Sequence, residues 1–137
     1  MFKILTIKSI SQTCRTFLDG MMNKKRGHIV AISSVAAKTS LPLTTAFTAT
    51  KYGVDGMMSA LQDELLINEC YKFIKLTTVY PTLMEPSEEL QNILGPIKEV
   101  LPNLTPTYIA DEIYKAMTRN TRNLTIPCLS HFAKITQ

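Results

Sequence analysis

The stretch that decides the fold is residues 27–65, which have the sequence GHIVAISSVAAKTSLPLTTAFTATKYGVDGMMSALQDEL. The part that ends at Ser34 contains a continuous apolar run, which is typical of a strand buried on both faces of a parallel sheet. Leu41-Pro42-Leu43 predicts a loop after that strand, because proline interrupts regular structure. The stretch therefore opens with a buried strand and turns away from the sheet before residue 44.

A long helix is predicted from Thr44 or Thr45 to about Asn68. Either threonine suits a helix N-cap, because its hydroxyl accepts a hydrogen bond from an unpaired backbone N–H of the first turn. The apolar residues of this segment are spaced by three, four or seven positions, so they line one face of a helix. They are Phe47, Val54, Met58, Leu61 and Leu65.

Strand and helix patterns alternate outward from this segment. Residues 3–23 have helical periodicity, and residues 73–80 are rich in β-branched and aromatic side chains, which favour a strand that stops at Pro81. Further on, the sequence predicts a short helix opening at residues 86–89, a helix at about 106–118 that begins near Thr105 or Thr107, and a strand at about 123–126 that stops at Pro127.

Such alternation predicts parallel strands joined by helical crossovers, which is an α/β fold. In parallel sheets of this kind, ligands bind beyond the carboxyl ends of the strands. Ser33 and Ser34 stand at one of those ends, and Tyr80 and Pro81 stand at the next. We therefore expect the functional residues at this edge of the sheet.

The composition suits one globular domain over residues 1–137, because 45% of the residues are hydrophobic and the length supports a single core. No apolar run is long enough for a membrane span, and the first 20 residues lack the pattern of a signal peptide. The net charge is +4, with its densest cluster at Lys24, Lys25 and Arg26. Cations at a helix C-terminus explain this cluster, and a membrane-surface patch is the alternative. Nucleic acid is not an expected partner, because basic and aromatic residues do not interleave.

The cysteines and histidines do not predict a metal site or a disulfide framework. No CxxC motif occurs, and neither His28 nor His131 has a partner at a ligand or triad spacing. Reduced thiols, as on the cytosolic side of a membrane, fit the odd number of widely separated cysteines. These are Cys14, Cys70 and Cys128.

The segment from Gly27 to Leu65 resembles the centre of the short-chain dehydrogenase/reductase family, in which a strand ends in Ser-Ser and Tyr-x-x-x-Lys opens a long helix. Here Phe47 lies 13 residues after Ser34, and Lys51 lies four residues after Phe47. FLDGMM before the strand is similar to the family's Phe-Leu-Pro-x-Met. The tail from Thr105 resembles the lipid-metabolising branch, with retinol, 17β-hydroxysteroid and fatty-alcohol dehydrogenases.

The resemblance implies the C-terminal half of a Rossmann-like, doubly wound parallel sheet and assigns roles by position. Ser34 is then the serine that orients the substrate oxygen, and Lys51 is the lysine that binds the nicotinamide ribose and lowers the tyrosine pKa. Phe47 occupies the position of the catalytic acid/base tyrosine, and phenylalanine has no proton to transfer. Tyr52 and Tyr80 are the alternative sources of a phenol.

Other positions depart from the family pattern. A family asparagine that holds a proton-relay water falls at or beside Thr6. The family's threonine that contacts the nicotinamide amide falls at Pro86, with Thr82, beside Pro81, as the alternative. The glycine-rich TGxxxGxG loop and the NNAG segment are missing, and they belong to the first half of the family fold. Without that loop the cofactor pyrophosphate has no cradle.

Two functions stay open on these residues. The resemblance implies an oxidoreductase that acts on the CH–OH group of a lipid-like alcohol or ketone with NAD or NADP, the chain being part of a longer protein. Phe47 favours the alternative, a degenerate non-catalytic member that serves as a structural or dimerisation module. Relatives in the lipid branch lie on endoplasmic reticulum or lipid-droplet membranes through an N-terminal anchor, and we expect this chain on the cytosolic side.

The resemblance also implies a homodimer formed by the helices near residues 3–23 and 44–66. A further expectation concerns the sheet, because half of a parallel sheet leaves an apolar edge where further strands should pair. The isolated chain should therefore be marginally stable or prone to aggregation unless it dimerises.

Overall fold

The computed structural model describes residues 2–39, 43–82 and 104–127, which form a three-stranded parallel sheet with helices on both faces. The strand order is β1-β2-β3, and both neighbouring pairs are parallel. In chain order the elements are α1 (Phe2–Asn23), β1 (Gly27–Ile32), a 3-10 turn (Val35–Ala37), α2 (Thr45–Ile67), a second 3-10 turn (Cys70–Lys72), β2 (Ile74–Pro81), α3 (Pro106–Thr118) and β3 (Asn123–Ile126).

These elements confirm the predicted α/β alternation and the parallel sheet. Thr44 is the N-cap residue of α2, but its hydroxyl makes no capping hydrogen bond to the first turn and bonds to the Thr48 hydroxyl at 2.9 Å. Thr105 caps α3 by accepting a hydrogen bond from the Tyr108 backbone N–H at 3.2 Å. The helix predicted to open at residues 86–89 lies outside the described residues, as do Cys128 and His131. None of the helices in the described ranges is long and apolar enough to cross a membrane.

The core has two parts, one on each face of the sheet. On the first face, Val54, Met58 and Leu65 of α2 pack on alternate residues of β1 and β2 and on the apolar side of α1. On the second face, Ile109 of α3 packs against Val79 of β2 and the neighbouring strand β3. The stripe of apolar residues predicted on α2 is therefore the side of that helix that contacts the sheet.

The strand β1 is not buried on both faces, so that prediction is wrong. Most of its residues are half-buried, and Ile32 is 46% exposed. The reason is the position of β1 at the edge of the sheet, where it pairs only with β2 among the described strands. A continuous apolar run shows that a strand is apolar, but it cannot show how many neighbours cover it.

The helices α1 and α2 pack closely within one chain. A side chain at Gly53 of α2 would collide with Ile7 of α1, so glycine allows the two helices to approach at this crossing. This contact uses the inner faces of the two helices. The homodimer expected through α1 and α2 stays a prediction.

The outer edge of β1 pairs with no strand among the described residues. The Gly27 N–H donates to the Phe73 carbonyl, and the Ser33 N–H donates to the Val79 carbonyl. The backbone N–H and C=O groups of odd-numbered β1 residues therefore point towards β2. Those of even-numbered residues such as Val30 point towards the open edge. Such an edge is a template for pairing with another chain.

We predict that Val30→Pro lowers self-association of the isolated chain, because proline removes an N–H that points to the open edge. Sedimentation velocity at several concentrations measures the association. Ala31→Pro is the control for a ladder residue, because it removes an N–H that faces β2, and it should destabilise the fold. A wild-type chain that stays monomeric and melts in one sharp transition at every concentration would contradict the prediction.

Neighbouring leucines near the end of α2 provide a matched test of the core. Leu65 is 3% exposed and Leu66 is 55% exposed. We expect Leu65→Ala to lower the free energy of unfolding by about 2–5 kcal/mol, because it removes buried methyl groups and leaves a cavity. Leu66→Ala should change it by less than about 0.5 kcal/mol. Equal losses in urea unfolding would show that the assignment of the buried face is wrong.

Candidate active site

Ser34 lies between the carboxyl ends of β1 and β2. Its backbone is extended, and its hydroxyl accepts a hydrogen bond from the Ala36 N–H at 3.2 Å, which caps the turn Val35–Ala37. The same hydroxyl donates to the Pro81 carbonyl at 3.4 Å. Ser34 is buried, and so is Pro81. The structure thus brings together two of the residues predicted at this edge of the sheet.

Lys51 reaches the same edge from the second turn of α2. Its ammonium donates to the Ile32 carbonyl at 3.1 Å, and its backbone carbonyl accepts a hydrogen bond from the Ser33 hydroxyl at 3.2 Å. Burial lowers the pKa of Lys51. The end of β1 is therefore attached to α2 through both the side chain and the backbone of this lysine.

Phe47 lies one helical turn before Lys51 and shares its side of α2. The Lys51 Nζ atom is 5.6 Å from the centroid of the Phe47 ring, which is within the range of a cation–π contact. Residues four apart on a helix are neighbours, which explains this contact. The half-buried ring can pack against the ammonium, but it supplies no titratable group.

Thr82 follows Pro81 at the end of β2. Its backbone N–H donates to the Ile126 carbonyl at 2.8 Å, which attaches it to β3. Its buried hydroxyl has no hydrogen-bond partner among the described residues. A buried hydroxyl without a partner is costly, so this oxygen suits a polar group of a ligand. Pro86, the other candidate for this role, lies outside the described residues, whereas Thr6 is half-buried on α1.

The two alternative tyrosines differ in their surroundings. Tyr52 lies on α2 and is exposed, with 47% of its surface accessible. The Tyr80 phenol donates to the Asp55 carboxylate, and the phenol oxygen also lies 3.3 Å from the acceptor Asn123 Oδ1. Burial, followed by the Asp55 carboxylate, raises the pKa of Tyr80, although Lys38 partly opposes this shift. A raised pKa is the opposite of what an acid/base at neutral pH requires.

Lys38 and Asp55 are site neighbours that sequence reasoning missed. The Lys38 ammonium lies 2.8 Å from an oxygen of the Asp55 carboxylate and 4.5 Å from the centroid of the Tyr80 ring. Burial acts to lower the pKa of Lys38, but the hydrogen bond to Asp55 and the proximity of Tyr80 together outweigh burial and raise it. No motif or regular spacing connects these residues, so no signal in the sequence could have grouped them.

Comparisons with known proteins show the family of the chain. Residues 4–94 match the family model of the short chain dehydrogenases. Estradiol 17-beta-dehydrogenase 11 of Rattus norvegicus is 25% identical over 115 residues, which cover 84% of this chain and 37% of that protein. An uncharacterized oxidoreductase of Mycobacterium bovis is 31% identical over 113 residues, which cover 81% of this chain and 30% of that protein. The chain thus spans about a third of the length of these relatives.

A solved structure shows the same fold. The short chain dehydrogenase/reductase of Burkholderia phymatum, crystallised in complex with NAD, superposes with a TM-score of 0.73 at 15% sequence identity. The superposition covers 96% of this chain and 53% of that one. At this identity the similarity establishes the fold alone.

The unpartnered hydroxyl of Thr82 leads to a prediction about stability. Thr82→Val should change the free energy of unfolding by less than about 1 kcal/mol, because no described hydrogen bond is lost. Thr77 is the control, since it is also buried but its hydroxyl donates to the Thr121 carbonyl at 2.8 Å and bonds to His28. Thr77→Val should cost about 1–3 kcal/mol. Equal losses of unfolding free energy for the two variants, measured in urea, would show that the Thr82 hydroxyl has a hydrogen-bond partner.

Proposed function

Because the chain belongs to the short chain dehydrogenase family, we propose that its site is the substrate side of an NAD(P)-dependent oxidoreductase. The proposed reaction interconverts the CH–OH group of a lipid-like alcohol and the corresponding ketone. The observation that carries this proposal is that Ser34, Lys51 and Thr82 each lie at the carboxyl end of β1 or β2, where Ser34 bonds to Pro81 and Lys51 bonds to Ile32. Similarity to estradiol 17-beta-dehydrogenase 11 over 84% of the chain supports a lipid-like substrate.

The residues at this edge fit one end of a nicotinamide cofactor. Lys51 would hold the ribose hydroxyls, because its ammonium is a multiple hydrogen-bond donor at the end of β1. Thr82 would bind the carboxamide through its unpartnered hydroxyl. The nicotinamide, when bound, supplies the hydride acceptor or donor. The fit covers only the nicotinamide riboside end of the cofactor, because the glycine-rich loop that binds the pyrophosphate does not occur in this sequence.

Ser34 would orient the substrate oxygen. Its hydroxyl donates to the Pro81 carbonyl, and rotation about its side-chain bond would redirect that proton to a substrate oxygen. A directed hydrogen bond of this kind stabilises the negative charge that develops on the oxygen of the substrate. Burial of Ser34 would strengthen the interaction, because little water competes for the hydroxyl.

The site has no acid/base group at the position where the family places one for proton transfer. Phe47 lies beside the Lys51 ammonium, where a phenol would have its pKa lowered by the cation. Positioned acid/base catalysis contributes about 10²–10⁴ in rate, and phenylalanine forgoes that contribution. Phe47 therefore favours a second candidate function, in which the chain is a non-catalytic member that acts as a structural or dimerisation module.

We expect Phe47→Tyr to raise turnover by about 10²–10⁴ relative to the wild type, because it places a phenol next to the Lys51 ammonium. Oxidation of retinol and of a 17β-hydroxysteroid is followed by the absorbance of reduced nicotinamide. In the Phe47→Tyr background, Lys51→Met should abolish the gain and Lys72→Met should preserve it. Wild-type turnover equal to that of Phe47→Tyr would show that position 47 is not the missing acid/base.

Cofactor affinity separates the two candidate functions. Calorimetry should detect binding of NADH or NADPH to the wild-type chain and weaker binding to Lys51→Met, whereas the exposed control Lys72→Met should bind as the wild type does. If neither cofactor binds to the wild type, the oxidoreductase proposal fails for this chain and the non-catalytic module is favoured.

A further inference from the structure

Three side chains, Lys38, Asp55 and Tyr80, form a cluster that we call the carboxylate clamp. One Asp55 oxygen accepts a hydrogen bond from the Tyr80 phenol, and the other lies 2.8 Å from the Lys38 ammonium. The ammonium also lies over the Tyr80 ring, 4.5 Å from its centroid. Each member of the clamp therefore contacts the other two.

The clamp joins the three elements that carry the candidate site residues. Lys38 directly follows the turn Val35–Ala37, which Ser34 caps. Asp55 lies on α2, one helical turn after Lys51. Tyr80 precedes Pro81, whose carbonyl accepts the Ser34 hydrogen bond. The turn, α2 and the end of β2 are thus connected at one point.

The turn that presents Ser34 has buried alanines, Ala36 and Ala37, but its own backbone hydrogen bonds are local. The Ala37 N–H donates to the Ser34 carbonyl at 2.9 Å, and the Lys38 N–H donates to the Val35 carbonyl at 2.8 Å. Both bonds are local, so they shape the turn without attaching it to the rest of the molecule. Lys38 supplies a side-chain attachment, at the point where the turn ends.

The geometry points to Asp55 as a positioning residue, which holds the Ser34 turn against the end of β2 by binding Lys38 and Tyr80 at the same time. This inference rests on the proposed function for its catalytic meaning, but the clamp itself is a structural arrangement. Asp55 is 19% exposed and Lys38 is 53% exposed. An ion pair with one exposed partner contributes little stability, so the role of this pair is orientation.

The phenol makes the clamp more than a surface ion pair. A hydrogen bond to a carboxylate is stronger than one between neutral groups and has a defined direction, so it fixes the Asp55 side chain. The fixed carboxylate then has one oxygen left for Lys38. Loss of either partner should therefore loosen the turn while leaving the core of the sheet intact.

Amide exchange measured by NMR tests the positioning role directly. Asp55→Asn keeps an oxygen for Tyr80 but removes the charge that Lys38 requires, and Lys38→Met removes the cation. In both variants the Ala37 and Lys38 amides should exchange about tenfold faster or more, while amides of α3 stay unchanged. Lys72→Met is the matched control, because it removes an exposed ion pair with Glu69 outside the clamp.

The ionisation of Tyr80 gives a second readout that general destabilisation would not reproduce. Asp55→Asn should lower the pKa of Tyr80 towards its ordinary value of 10.0, because the negative charge beside it is lost. Lys38→Met should raise the pKa further, because the opposing cation is lost. Absorbance titration with Tyr80→Phe as the reference identifies the transition. Shifts in the same direction for both variants would overturn the clamp.

The outcomes separate the clamp from the proposed function. If the two amides exchange as in the wild type, or if α3 loosens equally, Asp55 is not a positioning residue, whatever the enzyme assay shows. In the Phe47→Tyr background, a working clamp predicts that Asp55→Asn lowers kcat several-fold with little change in cofactor affinity. If Phe47→Tyr has no turnover, the proposed function fails, and the exchange and titration results still decide the clamp.

Discussion

The parallel pairing of β1 with β2 determines where every candidate site residue lies. Its register sets Gly27 beside Ile74 and Ile32 beside Val79, so β2 continues for two residues beyond the end of β1. The Ser33 N–H closes this ladder on the Val79 carbonyl, and Ser34 then stands beside Pro81. A parallel pair requires a long crossover, and α2 is that crossover. The helix that joins the two strands therefore also delivers Lys51 to their ends.

The same pairing leaves β1 at the edge of the sheet. The outward-facing carbonyl of Ile32 accepts a hydrogen bond from the Lys51 ammonium, so the crossover helix supplies a partner for one backbone group of this edge. The other even-numbered residues of β1 face away from β2 and pair with no described strand. The Ile32 end of this edge, which lies nearest the site, is hydrogen-bonded, whereas the rest of the edge is open. The part of β1 most prone to pairing with another chain therefore lies away from Ser34.

In the proposed function, orientation and proton transfer are separated. Ser34, Lys51 and Thr82 are proposed to bind and orient, and they lie at the carboxyl ends of β1 and β2. Phe47 occupies the position beside the ammonium without offering a proton. The phenol at the end of β2, Tyr80, is bound to a carboxylate and has a raised pKa. This phenol connects β2 to Asp55 of α2, so its role is structural.

What the sequence determined by itself is local. The bounds of α3 and β3 follow from periodicity, a capping threonine and a terminating proline, and the spacing of Ser34, Phe47 and Lys51 indicated the candidate site. Only the tertiary structure decided that β1 is an edge strand and that Lys38, Asp55 and Tyr80 meet, 17 and 25 residues apart along the chain. It also decided that the Thr82 hydroxyl is buried without a described partner. These features depend on which elements become neighbours, and a pattern within one segment carries no information about the segments that pack against it.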